Sequence, residues 1–250
     1  MINLGDQYFE SASNRKGSES IRLYIKAATE YSLVNQKYKS GLAYQKAAEI
    51  FFNSDLKYQA AINYIKASTQ YNGVDNSRAI CSLTLAINLL TITKHLRLAT
   101  TNLELLGTLN IKEHKLLEAI NCYEQAYKNY KTLRMEKESF VCFRKISNIM
   151  IQNEDYERAL LHLKKKDCQN IKIFFDIAIL LFYINGSISC FEFLSSKNNL
   201  MLTKEYFLLN DLIIAFDNND KIKFQNLINV RKNILLKWHS ELLIKISESI

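Results

Sequence analysis

The chain has no proline and only six glycines in 250 residues. Proline and glycine are the residues that most firmly interrupt a helix, so their scarcity leaves room for long, unbroken helices. Six scattered glycines also exclude a glycine-rich phosphate loop. No P-loop, GxGxxG, GxSxG, HExxH or EF-hand pattern occurs, so neither catalysis nor a cofactor is expected. Cysteine is sparse: Cys81, Cys122, Cys142, Cys168 and Cys190 are odd in number and never in CxxC spacing. Four of them stand among apolar helix positions and read as buried, reduced thiols of a cytosolic protein. His95, His114, His162 and His239 form no paired motif with them, so no metal site is expected. No apolar run reaches membrane length. The longest, residues 173–184, has twelve residues, includes Asp176 and suits a buried helix. The first six residues lack the apolar core of a signal peptide.

What is present is a phrase said several times. Written as aromatic-x-x-Ala-small-x-x-aromatic, it occurs as Tyr24, Ala27, Ala28, Tyr31, then as Tyr44, Ala47, Ala48, Phe51, and as Tyr64, Ala67, Ser68, Tyr71. Degenerate copies follow at Leu83, Ala86, Ile87, Leu90 and at Leu103, Leu106, Gly107, Asn110. Tyr123, Ala126, Tyr127, Tyr130 restores the strong form, and Phe143, Ile146, Ser147, Met150 carries it on. The first positions are 24, 44, 64, 83, 103, 123 and 143, a step of 20 with one slip of a residue. Spacings of 3, 4 and 7 place each set on one helix face. A step of this size is one helix plus a turn, and two steps make a hairpin of about 40 residues, a solenoid period. The small residues let neighbouring helices approach while the rings fill the space between turns.

The breaks are read near residues 37–39, 53–56, 72–76, 93–95, 111–115, 133–136 and 152–155, with Ser18 as the cap of a helix opening at Glu19. A second phrase sets an alanine early in the following helix: Ala60 and Ala61, Ala119, Ala159. After a charged joint at residues 164–167 the regularity fades, and denser apolar helices are expected over 171–183, 189–194, 202–216, 222–230 and 234–246. The fold class is therefore all-α: a right-handed TPR-like α-solenoid of antiparallel hairpins over residues 1–167, with a helical bundle over 168–250 covering its last face.

Formal net charge is +8, and residues 78–166 hold 15 Lys+Arg against 9 Asp+Glu. A basic field attracts acidic partners: nucleic acid, anionic lipid or an acidic protein surface. The plain alternative is a solvated helix surface. The basic stretch lacks the arginine–aromatic interleaving of a nucleic-acid platform, and its tyrosines occupy repeat-core positions. A solenoid face is by default a protein-binding surface.

The array resembles the soluble NSF attachment proteins, adaptors between SNARE bundles and the NSF ATPase. The resemblance is carried by Tyr24-Ile25-Lys26-Ala27-Ala28, by Tyr44-Gln45-Lys46-Ala47-Ala48 and by Ala119-Ile120-Asn121-Cys122-Tyr123-Glu124-Gln125-Ala126. It continues in Asp155-Tyr156-Glu157-Arg158-Ala159-Leu160 and in Leu235-Leu236-Lys237-Trp238, which holds the only tryptophan. It implies a cytoplasmic, non-enzymatic adaptor, monomeric when free and peripherally associated with membranes. Its partners would be a syntaxin-like SNARE complex, an NSF-type AAA ATPase and an anionic membrane surface, with no nucleic acid. A generic protein-interaction scaffold is the second reading, and a nucleic-acid-binding helical repeat the third.

By the same resemblance, Lys145, with Arg144 beside it, falls on the SNARE-facing concave surface. Two other basic positions of that surface are Thr101 and Val141 here, and Lys94, Arg97, Lys137 and Lys172 stand near enough to compensate. The ATPase contact is reduced to Asp217, Asp220 and the terminal Ile250, without the family's acidic, leucine-ended tail. The first loop is polar, so Tyr8 and Phe9 are the membrane-contact candidates, and Trp238 is expected in the core.

Overall fold

The structure, a computed structural model, describes residues 4–165, 170–197 and 201–250. Among the described residues every regular element is an α-helix, fourteen in all. They are α1 (Leu4–Ser13), α2 (Gly17–Leu33), α3 (Lys37–Asn53), α4 (Lys57–Tyr71), α5 (Asn76–Ile92), α6 (Leu96–Lys112) and α7 (Leu116–Thr132). Then come α8 (Glu136–Gln152), α9 (Tyr156–Lys164), α10 (Ile171–Asn185), α11 (Ser187–Ser195), α12 (Lys204–Asp217), α13 (Lys221–Val230) and α14 (Lys237–Ser247). The chain is all-α, as its composition predicts. It divides into two compact units, Met1–Lys145 and Ile146–Ile250, and the division falls inside α8. The boundary expected between Asp167 and Cys168 lies outside the described residues.

In the first unit each helix from α1 to α6 packs on the next. The repeated phrase supplies the contact: Tyr24, Ala27, Ala28 and Tyr31 are buried, as are Tyr64, Ala67, Ser68 and Tyr71, while Tyr44, Phe51 and Tyr127 are half-buried. The early alanines of the second phrase, Ala60, Ala61 and Ala119, are fully enclosed.

The same phrase also ends the helices. Asn35, Asp55, Lys94, His114, Arg134 and Glu154 all hold φ between 56 and 60°. The residue after each donates its N–H, at 2.8–3.0 Å, to the carbonyl of Tyr31, Phe51, Leu90, Asn110, Tyr130 or Met150. These are Schellman closures, and every acceptor is the last position of a phrase. The one-residue slip sits at the α4–α5 turn. There Gly73, at φ +82°, replaces the usual left-handed residue, and the Tyr71 carbonyl takes the N–H groups of Val74 and Asp75 instead.

Three of the six glycines are notches rather than hinges. A Cβ at Gly5 or Gly41 would stand 2.8 Å from the ring of Tyr31 or Tyr71, and one at Gly107 would stand 2.9 Å from that of Tyr123. A helix backbone bare at those points lets a tyrosine of another helix lie directly on it.

The second unit is organised around α10. Ten consecutive residues from Ile173 to Phe182 are buried, and α9, α11, α12 and α14 all pack on this helix. A helix that is apolar on every side belongs in a core. No helix among the described residues is long and apolar enough to cross a membrane.

Four local expectations need correction. Helix α2 opens at Gly17 with Lys16 as N-cap and no side-chain cap, so Ser18 lies inside its first turn. The first break falls at residues 34–36, ahead of 37–39, because the Schellman turn closes as soon as Asn35 turns left-handed. Helix α14 opens at Lys237, not at residue 234, since Leu236 becomes the N-cap and gives its N–H to His239 Nδ1 at 3.0 Å. Cys122, Cys142 and Cys190 are buried, but Cys81 is exposed, because two residues before Leu83 the α5 surface faces outward. Cys168 lies outside the described residues.

Candidate functional site

The repeat register places the expected cations. Counting from the first phrase position of each helix, Arg97 on α6 and Lys137 on α8 occupy the same place, and both are exposed. Arg144 and Lys145 lie two turns further along α8 and are half-buried, and the Arg144 Nε is sealed from solvent. Because α6 and α8 are alternate helices of a hairpin stack, these positions share one face of the first unit. Lys94 stands outside that set, as the exposed left-handed residue of the α5–α6 turn. Lys172 belongs to the second unit, exposed in the first turn of α10.

Lys145 is not a bare cation. Its Nζ donates to Glu104 Oε2 at 2.9 Å and stands 4.9 Å from the centre of the Tyr123 ring. The other Glu104 oxygen accepts the Tyr130 hydroxyl at 2.7 Å. Burial works against the Lys145 charge, but Glu104 and Tyr123 outweigh it, so its pKa is raised. Burial, reinforced by the bond to Glu104, pushes the Tyr130 hydroxyl up to about 12. Burial likewise lifts the neighbouring Cys142 thiol to about 12, which keeps it protonated and inert.

The same device occurs at the start of the chain. Tyr31 on α2 and Lys39 on α3 both donate to Asp6 Oδ1 on α1, at 2.7 and 2.9 Å. A third copy has a neutral acceptor: the Tyr71 hydroxyl donates to Gln45 Oε1 at 3.0 Å, with Arg78 lying over the Tyr71 ring. Each latch joins three successive helices through the last tyrosine of a phrase. Sequence reading missed the acceptors, since their distance from the tyrosine, 25 or 26 positions, exceeds one repeat.

The other candidates fall as follows. Tyr8 and Phe9 are half-buried and packed against Ala27, Ala28, Tyr31 and Ala43, with Phe9 edge-on to Tyr24 at 5.1 Å. Asp217 is the exposed last residue of α12, and Asp220 caps α13 by accepting the Lys223 N–H at 3.0 Å. Ile250 is half-buried. Trp238 is also half-buried, and its Nε1 is enclosed with no hydrogen-bond partner among the described residues.

The polar centre of the second unit is one the sequence reading did not pair. His239 Nε2 lies 2.9 Å from Asp176 Oδ1, and both side chains are buried. Since His239 Nδ1 accepts the Leu236 N–H, the ring proton sits on Nε2 and is donated to Asp176. This explains a carboxylate in the middle of α10: it anchors the first turn of α14. A cavity of about 700 Å³ in the same unit is lined by Glu154, Tyr156, Tyr183, Phe216 and Lys245 among others. Lys245 already fills its acidic side, donating to Glu154 at 3.0 Å. Among the described residues no cluster of His, Cys, Asp and Glu has the makings of a metal site.

Comparison with known proteins agrees with this architecture. A probable vesicular-fusion protein sec17 homolog of Schizosaccharomyces pombe is 27% identical, aligned over 94% of this chain and 87% of its own length. An alpha-soluble NSF attachment protein of Vitis vinifera is 23% identical over the same shares. A beta-soluble NSF attachment protein of Bos taurus is 25% identical over 59% of this chain and 50% of that one. The model of the family described as soluble NSF attachment protein, SNAP, matches residues 4–167, which include every copy of the repeated phrase, and the chain belongs to that family.

Proposed function

We propose that the chain is a non-enzymatic adaptor that holds an assembled SNARE bundle and presents it to an NSF-type ATPase for disassembly. The observation that carries this reading is the family match over residues 4–167. The geometry supports it: Arg97, Lys137, Arg144 and Lys145 stand on one face of the first unit, suited to an acidic coiled-coil surface. In this reading Lys94 and Lys172 are peripheral contacts. Asp217, Asp220 and Ile250 form the side toward the ATPase, and the outer edges of Tyr8 and Phe9 meet the membrane.

The test is reconstituted disassembly with purified SNARE complex, NSF and ATP. The chain should support disassembly, and Arg97→Glu with Lys137→Glu should abolish it while leaving helicity intact. A chain that neither binds the bundle at low salt nor supports disassembly overturns the reading.

A further inference from the structure

The basic face does not stop where the sequence count suggests. Residues 1–77 hold nine Lys+Arg against seven Asp+Glu, a net charge of only +2, which reads as neutral surface. The structure shows that the two signs are sorted. Arg15, Lys39, Lys46 and Lys57 pair with Glu19, Asp6, Glu49 and Asp55. Lys16 ahead of α2, Arg22 and Lys26 on α2, Lys37 on α3 and Lys66 on α4 are exposed, with no ion pair among the described residues.

Two of them, Lys26 and Lys66, fall on the register of Lys145. Two positions after the first residue of each phrase, the even-numbered helices α2, α4, α6 and α8 read Lys26, Lys66, Leu105 and Lys145. The odd-numbered helices α3, α5 and α7 read Lys46, Leu85 and Gln125 at that place, and Lys46 is paired with Glu49 as Lys145 is with Glu104. Each lysine of the even row sits over a tyrosine of the preceding helix. Lys26 lies 5.5 Å from the Tyr8 ring, Lys66 5.6 Å from Tyr44 and Lys145 4.9 Å from Tyr123. Three copies of one seat hold three charges in a row instead of leaving them on free stems.

The ground between the lysines is low. Thr29, Thr69 and Thr108 occupy the next turn of α2, α4 and α6, and each hydroxyl is already bonded to the carbonyl four residues back. The half-buried Ile25, Ile62 and Ile65 add apolar surface, and Leu105 is 52% exposed where the lysine row skips α6. The carboxylates on this face are Glu19, Glu30, Glu104 and Glu138; Glu19 is paired with Arg15, and Glu104 is bound by Lys145 and Tyr130.

We infer that the binding face runs the full length of the first unit, from α2 to α8, with Lys26 and Lys66 as its N-terminal contacts. It takes an elongated, acidic, helical partner laid across the helices. A flat row of cations interspersed with threonine and aliphatic side chains matches a helical bundle that is acidic with an apolar spot opposite Leu105. It does not match a nucleic acid, because the tyrosines lie under lysines and offer no open ring for a base.

This inference rests on the SNARE-binding reading, and the test separates the two. The full chain is titrated against a purified SNARE four-helix bundle at low salt and over a range of KCl. The variants are Lys26→Glu with Lys66→Glu, Arg97→Glu with Lys137→Glu, and the control Lys128→Glu on α7. The first pair is expected to weaken binding about tenfold or more and to flatten the salt dependence, with the control unchanged. Lys26→Ala with Lys66→Ala, which adds no new charge, should weaken it in the same direction. Wild-type affinity in both Lys26/Lys66 pairs, with loss in the Arg97/Lys137 pair, overturns the extended face and leaves the reading intact. Wild-type affinity in all of them overturns the cationic face as the contact, and failure of the wild-type chain to bind the bundle at low salt overturns the SNARE-binding reading itself. Tighter binding of single-stranded RNA than of the bundle, lost in the Lys26/Lys66 variants, overturns the choice of partner.

Discussion

Lys145 Nζ and Glu104 Oε2 are 2.9 Å apart and 41 positions apart in the chain, so a cation expected to face a partner is also part of the scaffold. Its two roles predict an unequal pair of mutants. Glu104→Ala leaves the buried Tyr130 hydroxyl without its acceptor and should cost about 1–3 kcal/mol. Lys145→Ala should cost about 0.5–1 kcal/mol, because the pair is partly open to solvent and screened. Urea denaturation of both variants checks the order. The reverse order would mean that Glu104 serves Lys145 rather than Tyr130. For the same reason Lys145→Glu is a poor binding probe, as it sets two carboxylates against each other.

Alkaline pH should loosen the same latch. The folded Tyr130 pKa is about 12, against an ordinary tyrosine value of 10.0. The stabilising effect of this raised pKa is complete below pH 10 and is lost as pH rises from there toward 12, because the unfolded chain releases the proton first. Unfolding free energy followed over that window should fall less steeply in Tyr130→Phe than in the wild type. Parallel curves would remove Tyr130 from the alkaline transition.

At Gly107, alanine is ordinarily the better helix former, by about 1 kcal/mol. Here the added methyl would meet the buried Tyr123 ring at 2.9 Å. The overpacking cost of about 1–3 kcal/mol should win, so Gly107→Ala is expected to lower the melting temperature. A rise would show that the ring moves aside freely.

In the second unit, Asp176→Ala strands the neutral His239 Nε2–H inside the core and should cost about 1–3 kcal/mol. Asp176→Asn keeps an acceptor and should cost less. Nitrogen NMR of the wild type should show a proton on Nε2 and an acceptor at Nδ1. The opposite tautomer would contradict the Leu236–His239–Asp176 chain of hydrogen bonds.

Much of this fold was legible because helix periodicity is local. The phrase running from Tyr24 to Tyr31 names a buried face and, through its last residue, the carbonyl that closes the turn. Both properties depend on residues fewer than ten positions apart, so a reader of the chain meets them together. The candidate site was legible only in part. Arg97 and Lys137 could be found by charge alone, but the company kept by Lys145 could not. Nor could sequence name Tyr24 as the ring that Phe9 packs against, or predict that Asp176 meets His239 from 63 positions away.

The amino-acid order alone determined the all-helical fold, the 20-residue step and the residues that line each helix contact, since each follows from short-range spacing. The tertiary structure decided which charges remain free. Asp6 neutralises Lys39 from 33 positions away, Glu49 and Asp55 take lysines three and two positions from them, and Lys26 and Lys66 are left exposed. Coulomb attraction acts on distance and not on chain position, so a net charge of +2 over 77 residues conceals exposed lysines without an ion pair on one face.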